Sequence, residues 1–185
     1  MTGLYITLGV VGLLFIYFIA TYNVLVRLRQ HCRESWSGID TELKRRYNLI
    51  PNLVSTVQGY AAHERETFEA VIAARTRAME SHGSVEDQAA DENMLVDSLK
   101  QLMALAEGYP DLKANENFLH LQTELVNTEN RIQGARRFYN ANVRDLNTRV
   151  EVFPSCIIAG MFSVQREAFF EIEDSSMRMP VAVTL

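Results

Sequence analysis

The chain has 185 residues, a formal net charge of −5 and 22% charged residues. This length fits one globular domain of about 100–150 residues with a short additional segment, and it excludes two large domains. The pI of 5.4 argues against a general affinity for nucleic-acid phosphates, so no nucleic-acid partner is expected. The two cysteines, Cys32 and Cys156, lie far apart in apolar helical patterns and predict reduced thiols, not a disulfide framework.

A charge-free apolar run opens the chain. It extends from Leu4 to Tyr22, close to the ~20 residues that a helix needs to cross a bilayer, so we predict a transmembrane anchor over residues 1–24 and the lipid bilayer as a partner. A cleaved signal peptide is the alternative, but it requires a basic leading segment, a shorter apolar core and a small-residue cleavage site. The predicted membrane-spanning side chains are Leu4, Ile6, Leu8, Val10, Leu13, Phe15, Tyr17, Ile19 and Tyr22.

Basic residues follow this run but do not precede it. Arg27, Arg29 and Arg33 come first, and Lys44 to Arg46 lie further along. Because Lys and Arg favour the cytoplasmic side, the N-terminus is predicted outside and the rest of the chain in the cytoplasm. The same three arginines are candidates for contacting anionic lipid headgroups, although topology determinants are the simpler interpretation.

The pattern beyond the run is helical. Apolar or small residues recur from Leu25 to Leu43 at spacings of three and four, which predicts that the anchor helix continues into the cytoplasm. A break is predicted near Tyr47–Leu49, with Asn48 capping a second helix and Pro51 in its first turn. The alternative is a single kinked helix that passes through Pro51.

Turn residues divide the remaining chain. The second helix is predicted to end near Glu80, and a shorter third helix to end at the turn that begins with Gly108. Between these two helices an acidic loop is expected. That loop contains Glu86, Asp87, Asp91 and Glu92. Asn115 is predicted to cap a long fourth helix, which Pro154 ends, and whose charges, among them Glu129, suit a solvated face with ion pairs.

Four helices with one apolar stripe each can bury those stripes only against one another. The sequence therefore predicts an all-α fold, in which the transmembrane helix continues into an antiparallel four-helix bundle over residues 25–153. Residues 154–185 are predicted to form a C-terminal apolar segment, too short to span a bilayer, and a loosely ordered tail from Asp174. The segment could lie in the membrane interface or close the end of the bundle. Its candidate interaction residues are Ile157, Ile158, Phe162, Phe169 and Phe170.

The sequence contains no recognisable catalytic motif. Its histidines lack the spacing of a zinc site, and the single Glu116 and His120 pair falls short of the duplicated pairs that a two-metal helical bundle needs. No glycine-rich phosphate loop and no local nucleophile motif is present. We therefore expect no catalytic residues, no metal, no cofactor and no enzymatic activity.

The sequence nevertheless resembles the LemA family over nearly its whole length. The resemblance rests on Trp36, on the run Asn48–Val54 and on the block Leu105–Phe118. Further matching positions are Ile39, Leu43 to Arg46, Gly59, Tyr60, His63, Glu64, Glu129 to Ile132, Tyr139, Asn140, Phe153 to Ser155 and Ile158 to Gly160. Cys156 and Ser163 depart from the family pattern, which would place an amide residue and a glycine there.

The resemblance implies a bacterial inner-membrane protein with a cytoplasmic helical bundle and no established activity. Some members are linked to organising specialised membranes and others neighbour a membrane zinc protease. We therefore expect a non-enzymatic, self-associating scaffold that forms a homo-oligomer, because membrane confinement raises effective concentration. The alternative is an adaptor for a membrane partner such as a protease or the envelope-stress machinery, and a metal-dependent enzyme is the least favoured hypothesis.

Overall fold

The computed structural model describes residues 2–171, which form six helices and no strand. The helices are α1 (Thr2–Gln58), α2 (Arg65–Glu80), α3 (Val85–Glu107), α4 (Pro110–Lys113), α5 (Glu116–Glu151) and α6 (Ser155–Met161). The all-α class and the long apolar N-terminal helix are therefore confirmed. The predicted tail from Asp174 lies outside the described residues.

α1 is a single helix of 57 residues that passes through Pro51. The predicted break near Tyr47–Leu49 is wrong, and Asn48 lies inside the helix. The alternative of one helix running through Pro51 is the observed arrangement. The first loop of the described residues follows Gln58, and the second helix begins at Arg65.

A hydrogen bond from another helix explains how α1 tolerates its proline. Pro51 has no N–H, so the carbonyl of Tyr47, four residues earlier, receives no bond from it. The Nε of Arg75 on α2 donates to this carbonyl at 2.8 Å. The proline therefore leaves open an acceptor that holds α2 against α1.

α3 begins earlier than predicted. Ser84 and Asp87 form a reciprocal capping box, in which the Asp87 N–H donates to the Ser84 hydroxyl at 3.2 Å and the Ser84 N–H donates to Asp87 at 3.0 Å. The predicted acidic loop is wrong, because Val85–Glu107 is helical. Asp91 and Glu92 are buried on this helix instead of lying in a solvated loop.

The start and end of α5 follow the sequence signals. The Asn115 side chain accepts a hydrogen bond from the Phe118 N–H at 3.0 Å, which confirms the predicted cap. α5 ends at Glu151, three residues before Pro154, and α6 begins at the residue after this proline, Ser155. The C-terminal apolar segment therefore contains a short helix.

The described residues divide into two compact units that combine distant parts of the chain. We name as the anchor unit residues 2–38 together with Arg137–Phe169, and as the central unit Ile39–Arg136 together with residues 170 and 171. Parts of α1 and α5 belong to each unit. The predicted boundaries after residues 24 and 153 remain predictions.

In the central unit, side chains of α2, α3 and α5 contact two adjacent residues of α1, Arg46 and Tyr47. α2 packs on α3, and Arg46 reaches both α3 and α5. These contacts are compatible with the predicted four-helix arrangement. The buried apolar side chains of this unit include Leu43, Ile50, Leu53, Val57, Phe68, Val71, Leu95, Leu99, Leu102, Leu125 and Ile132.

In the anchor unit, the segment after α6 is held along α5. The Tyr139 hydroxyl donates to the Ala168 carbonyl at 3.0 Å, and the Asn147 side chain both donates to and accepts from the Glu167 backbone at 2.9 Å. Trp36 is half-buried with its ring 5.3 Å from that of Tyr139. Ser163 has a φ of 53°, in the left-handed region that favours glycine, which agrees with the glycine expected there from the resemblance.

Pro51 and Arg75 should be energetically coupled. Replacing Arg75 with Met leaves the Tyr47 carbonyl without its donor and should lower the free energy of unfolding by about 1–2 kcal/mol. In a Pro51→Ala background the new N–H can take over this carbonyl, so the same substitution should cost less. Urea unfolding of the full chain in mild detergent, followed by circular dichroism, measures the difference.

Arg77→Met is the matched control, because Arg77 lies on the same helix and pairs with Asp91, not with Tyr47. Its cost should be the same in the wild-type background as in the Pro51→Ala background. An equal cost of Arg75→Met in both backgrounds would show that the proline has no part in this contact.

Candidate membrane-contact site

The apolar run of α1 is exposed along its length. α1 is the one helix in residues 2–171 that is long and apolar enough to cross a bilayer, and none of its most apolar stretch is buried. Large side chains such as Leu4 and Leu13 are 65% and 69% exposed. The other predicted membrane-spanning residues are also exposed. They are Ile6, Leu8, Val10, Phe15, Tyr17, Ile19 and Tyr22.

Burial within α1 begins just beyond this run. Leu25 is fully buried and Cys32 nearly so, whereas Arg27, Arg29 and Arg33 are exposed between and beyond them. Because all three arginines are exposed, they can face water or lipid headgroups while Leu25 and Cys32 pack inside the anchor unit. Their predicted headgroup contact stays a prediction.

Aromatic rings join the C-terminal segment to the end of the apolar run. The ring of Phe162, just after α6, lies 4.4 Å from that of Tyr22 and 5.8 Å from that of Phe18. Such tilted pairs are favourable geometries for aromatic side chains. The residue that follows α6 therefore contacts the last two turns of the run that is predicted to span the membrane.

The predicted C-terminal interaction residues differ in exposure. Ile157 and Phe162 are 56% and 45% exposed, whereas Ile158 and Phe170 are buried within the chain. Phe169 is half-buried. Of these five residues, only Ile157 and Phe162 expose a large surface to other molecules.

A buried charge cluster lies in the central unit. The guanidinium of Arg46, 1% exposed, donates to Glu92 on α3 and, at 2.9 Å, to Glu129 on α5. Glu92 also accepts hydrogen bonds from Tyr47 and from Gln88. Glu129 also accepts a bond from the Gln133 side chain at 2.9 Å. The cluster thus pairs each carboxylate with the arginine and with neutral donors, as buried charges require.

Burial raises the pKa of the Tyr47 hydroxyl above its ordinary value, and the negative charge of Glu92 adds to this effect. The phenol therefore keeps its proton and acts as a donor to Glu92. Both carboxylates of the cluster already accept hydrogen bonds from the side chains around them, so the cluster does not need a bound ligand to be stable. We interpret it as a structural network that fixes helix positions.

Among residues 2–171, the remaining reactive groups show no catalytic arrangement. Burial raises the pKa of the Cys32 thiol from 9.0 to about 11, and the charges of Glu167 and Asp145 act in the same direction. A thiol with this pKa is a poor nucleophile at neutral pH. His63 and His120 are exposed, and residues 2–171 contain no group of three His, Cys, Asp or Glu side chains able to hold a metal ion.

Sequence reasoning misses the charge cluster. The sequence pattern indicates for Arg46 only a basic residue on the cytoplasmic side, and it places Glu92 in a loop and Glu129 on a solvated face; the last two of these interpretations are wrong. The available signal is positional: Arg46 follows the buried Leu43 by three residues, on the same side of α1. A charge at such a position needs a buried partner, but the sequence does not identify it.

Over residues 2–171, the fold and the exposed run define an all-helical protein with one apolar helix consistent with a membrane anchor. Residues 35–184 match the LemA family, and the chain belongs to that family. This confirms the resemblance described above.

Individual relatives are distant. Magnetosome protein MamQ 2 of Paramagnetospirillum magneticum is 27% identical, over 83% of this chain and 67% of that protein. Magnetosome protein MamQ of Magnetospirillum gryphiswaldense is 25% identical, over 80% of this chain and 64% of that protein. Protein LemA of Metamycoplasma hominis is 24% identical, over 89% and 75% respectively. None of these names denotes an enzyme.

Arg46 should be essential to the stability of the central unit. Arg46→Met leaves two buried carboxylates without their cation, and we expect it to lower the free energy of unfolding by about 3–5 kcal/mol. Adding Glu92→Gln and Glu129→Gln removes both uncompensated charges while keeping acceptors for Tyr47, Gln88 and Gln133. Chemical unfolding of the full chain in detergent should therefore show that the triple variant recovers much of this loss.

Lys44→Met is the control, since the Lys44 pair with Asp40 is exposed and should contribute little. If the triple variant were less stable than Arg46→Met, the penalty would not come from unpaired buried charge.

Proposed function

We propose that this protein is a non-enzymatic, single-pass membrane scaffold of the bacterial inner membrane. The first part of α1 crosses the bilayer with its N-terminus outside, and the helical remainder lies in the cytoplasm, where copies associate. One observation carries the proposal: the apolar run of α1 has no buried residue in its most apolar stretch. Water is an unfavourable surrounding for such a surface, and lipid is a favourable one.

The size of this preference supports insertion. Residues 4–22 contain eleven Leu, Ile, Val and Phe residues. At about 0.3–0.6 kcal/mol each near the centre of a bilayer, they favour insertion by roughly 3–7 kcal/mol. The exposed arginines that follow the run favour the cytoplasm for the rest of the chain.

The continuity of α1 argues against a cleaved signal peptide. The helix continues without interruption from the apolar run into the packed part of the chain, where Leu25 is buried. Cleavage after Tyr22 would cut inside this helix, beside the Tyr22 contact with Phe162. A retained anchor fits this arrangement better.

The proposed self-association has a candidate surface on α2. Ile72 and Met79 are 50% and 45% exposed, and their spacing of seven residues places them on one side of the helix. Confinement to a membrane raises the effective concentration of the copies, so weak surfaces of this kind suffice for assembly. A scaffold role also agrees with the membrane-organising role that the family resemblance implies.

The mass of the full-length protein in mild detergent tests this function. Light scattering coupled to size exclusion should give a particle of several copies, and Ile72→Glu with Met79→Glu should reduce its mass. Ala70→Glu is the matched control, because Ala70 is exposed on the side of α2 opposite Ile72 and Met79. A wild-type protein with the mass of one chain would contradict self-association and would favour the adaptor hypothesis.

A further inference from the structure

An uncharged lobe projects between two paired charges in the anchor unit. Residues 152–165 contain no Asp, Glu, Lys or Arg. The residues on either side, Glu151 and Arg166, form an ion pair at 3.0 Å, so the segment leaves α5 and returns to the same place. We call residues 152–165 the apolar lobe; it includes α6.

The lobe exposes large apolar side chains that its own packing does not use. Phe153, Ile157 and Met161 are 75%, 56% and 66% exposed. Ile157 and Met161 lie one turn apart on the same side of α6. The other side of α6 packs inside the anchor unit through Ile158 and Ala159, which are buried. The exposed face of the lobe can therefore contact lipid or another molecule.

The position of Phe162 indicates that lipid contacts this face. Its ring contacts Tyr22 and Phe18, which lie one turn apart at the end of the run from Leu4 to Tyr22. A span of about 20 residues fills the hydrocarbon core, so these two aromatic residues lie at its cytoplasmic edge. The lobe beside them therefore lies where acyl chains meet headgroups.

We propose that the apolar lobe is a second membrane contact, which inserts into the interface of the leaflet beside the cytoplasmic end of the span. Seven helical residues are too few to cross a bilayer but can lie in its interface, where apolar faces enter about 5–10 Å deep. This inference rests on the proposed anchor. The sequence leaves two positions open for this segment, the membrane interface and the end of the bundle. The proposal favours the membrane interface.

Lipid fits the lobe better than a second protein copy does. The exposed surface carries no charge and offers few groups for specific pairing, and it is continuous with the run that lipid surrounds. The exposed arginines at positions 27, 29 and 33 supply the positive charge that interfacial segments usually carry on their own polar face.

Tryptophan quenching in vesicles tests the proposal. Trp36 is the only tryptophan, so Trp36→Phe provides a background for Ile157→Trp, for Tyr17→Trp as the span control and for Phe138→Trp as the water control. Phe138 is 62% exposed on α5 and lies about 21 Å along that helix from Val152, at the start of the lobe. The full-length variants are reconstituted in phosphatidylcholine and phosphatidylglycerol vesicles, with lipids brominated either near the headgroup or near the middle of the acyl chain.

The proposal predicts that Ile157→Trp loses as much emission to brominated lipid as Tyr17→Trp does, with the larger loss from bromine near the headgroup. Phe138→Trp should respond only to aqueous iodide. If the Trp36→Phe background loses helical circular dichroism, Trp36 is kept and the emission of the unsubstituted chain is subtracted.

Three outcomes would overturn the proposal, and they differ in meaning. Quenching of Ile157→Trp by iodide alone, with lipid quenching of Tyr17→Trp intact, would leave the anchor and remove the lobe contact. Protection of Ile157→Trp from both quenchers would show that protein covers the lobe, such as a second copy. Absence of lipid quenching at Tyr17→Trp would reject the anchor itself.

Discussion

The burial of the Arg46 guanidinium constrains the central unit more than any other single contact. A guanidinium keeps its charge at any physiological pH, so burying it to 1% exposure requires carboxylates in direct contact. Glu92 and Glu129 provide them from two other helices, while the adjacent Tyr47 donates to the same Glu92. A shift of α3 or α5 by one turn would leave a buried charge unpaired, so the cluster fixes which residues of these helices face α1.

The next residue of α1, Tyr47, adds a second constraint of the same kind. The carbonyl of Tyr47 is left open by Pro51 and is occupied by Arg75, so α2 is also held at a defined position. Two consecutive residues of α1 thus form hydrogen bonds or ion pairs with three other helices, since Arg46 donates to α3 and α5 and the Tyr47 carbonyl accepts from α2. This explains why the uninterrupted helix is stable although it contains a residue that usually ends one.

These long-range contacts mark the limit of what the sequence can predict. Local signals suffice for the apolar run, the Asn115 cap, the end of α3 before Gly108 and the all-α class, since each depends on residues within a turn or two. The predicted break at Tyr47–Leu49 follows a sound local rule for proline. That rule does not include the distant Arg75, which donates to the carbonyl that the proline leaves open. The placement of Glu92 in a loop follows from its charge, because its partner Arg46 lies 46 residues away. The membrane-contact residues are predicted by composition alone; they are exposed, and their contact with lipid stays a prediction.

The central claim is that α1 crosses the membrane once and that the rest of the chain stays on the cytoplasmic side. Labelling by a membrane-impermeant maleimide in spheroplasts tests it most directly, in a background where Cys32 and Cys156 are replaced by Ala. Thr2→Cys and Asn48→Cys place single thiols at the start of α1 and at an exposed position beyond its apolar run. We expect Thr2→Cys to react in intact spheroplasts and Asn48→Cys to react only after permeabilisation. Reaction of both thiols from the same side, or loss of residue 2 from the mature chain, would contradict the account.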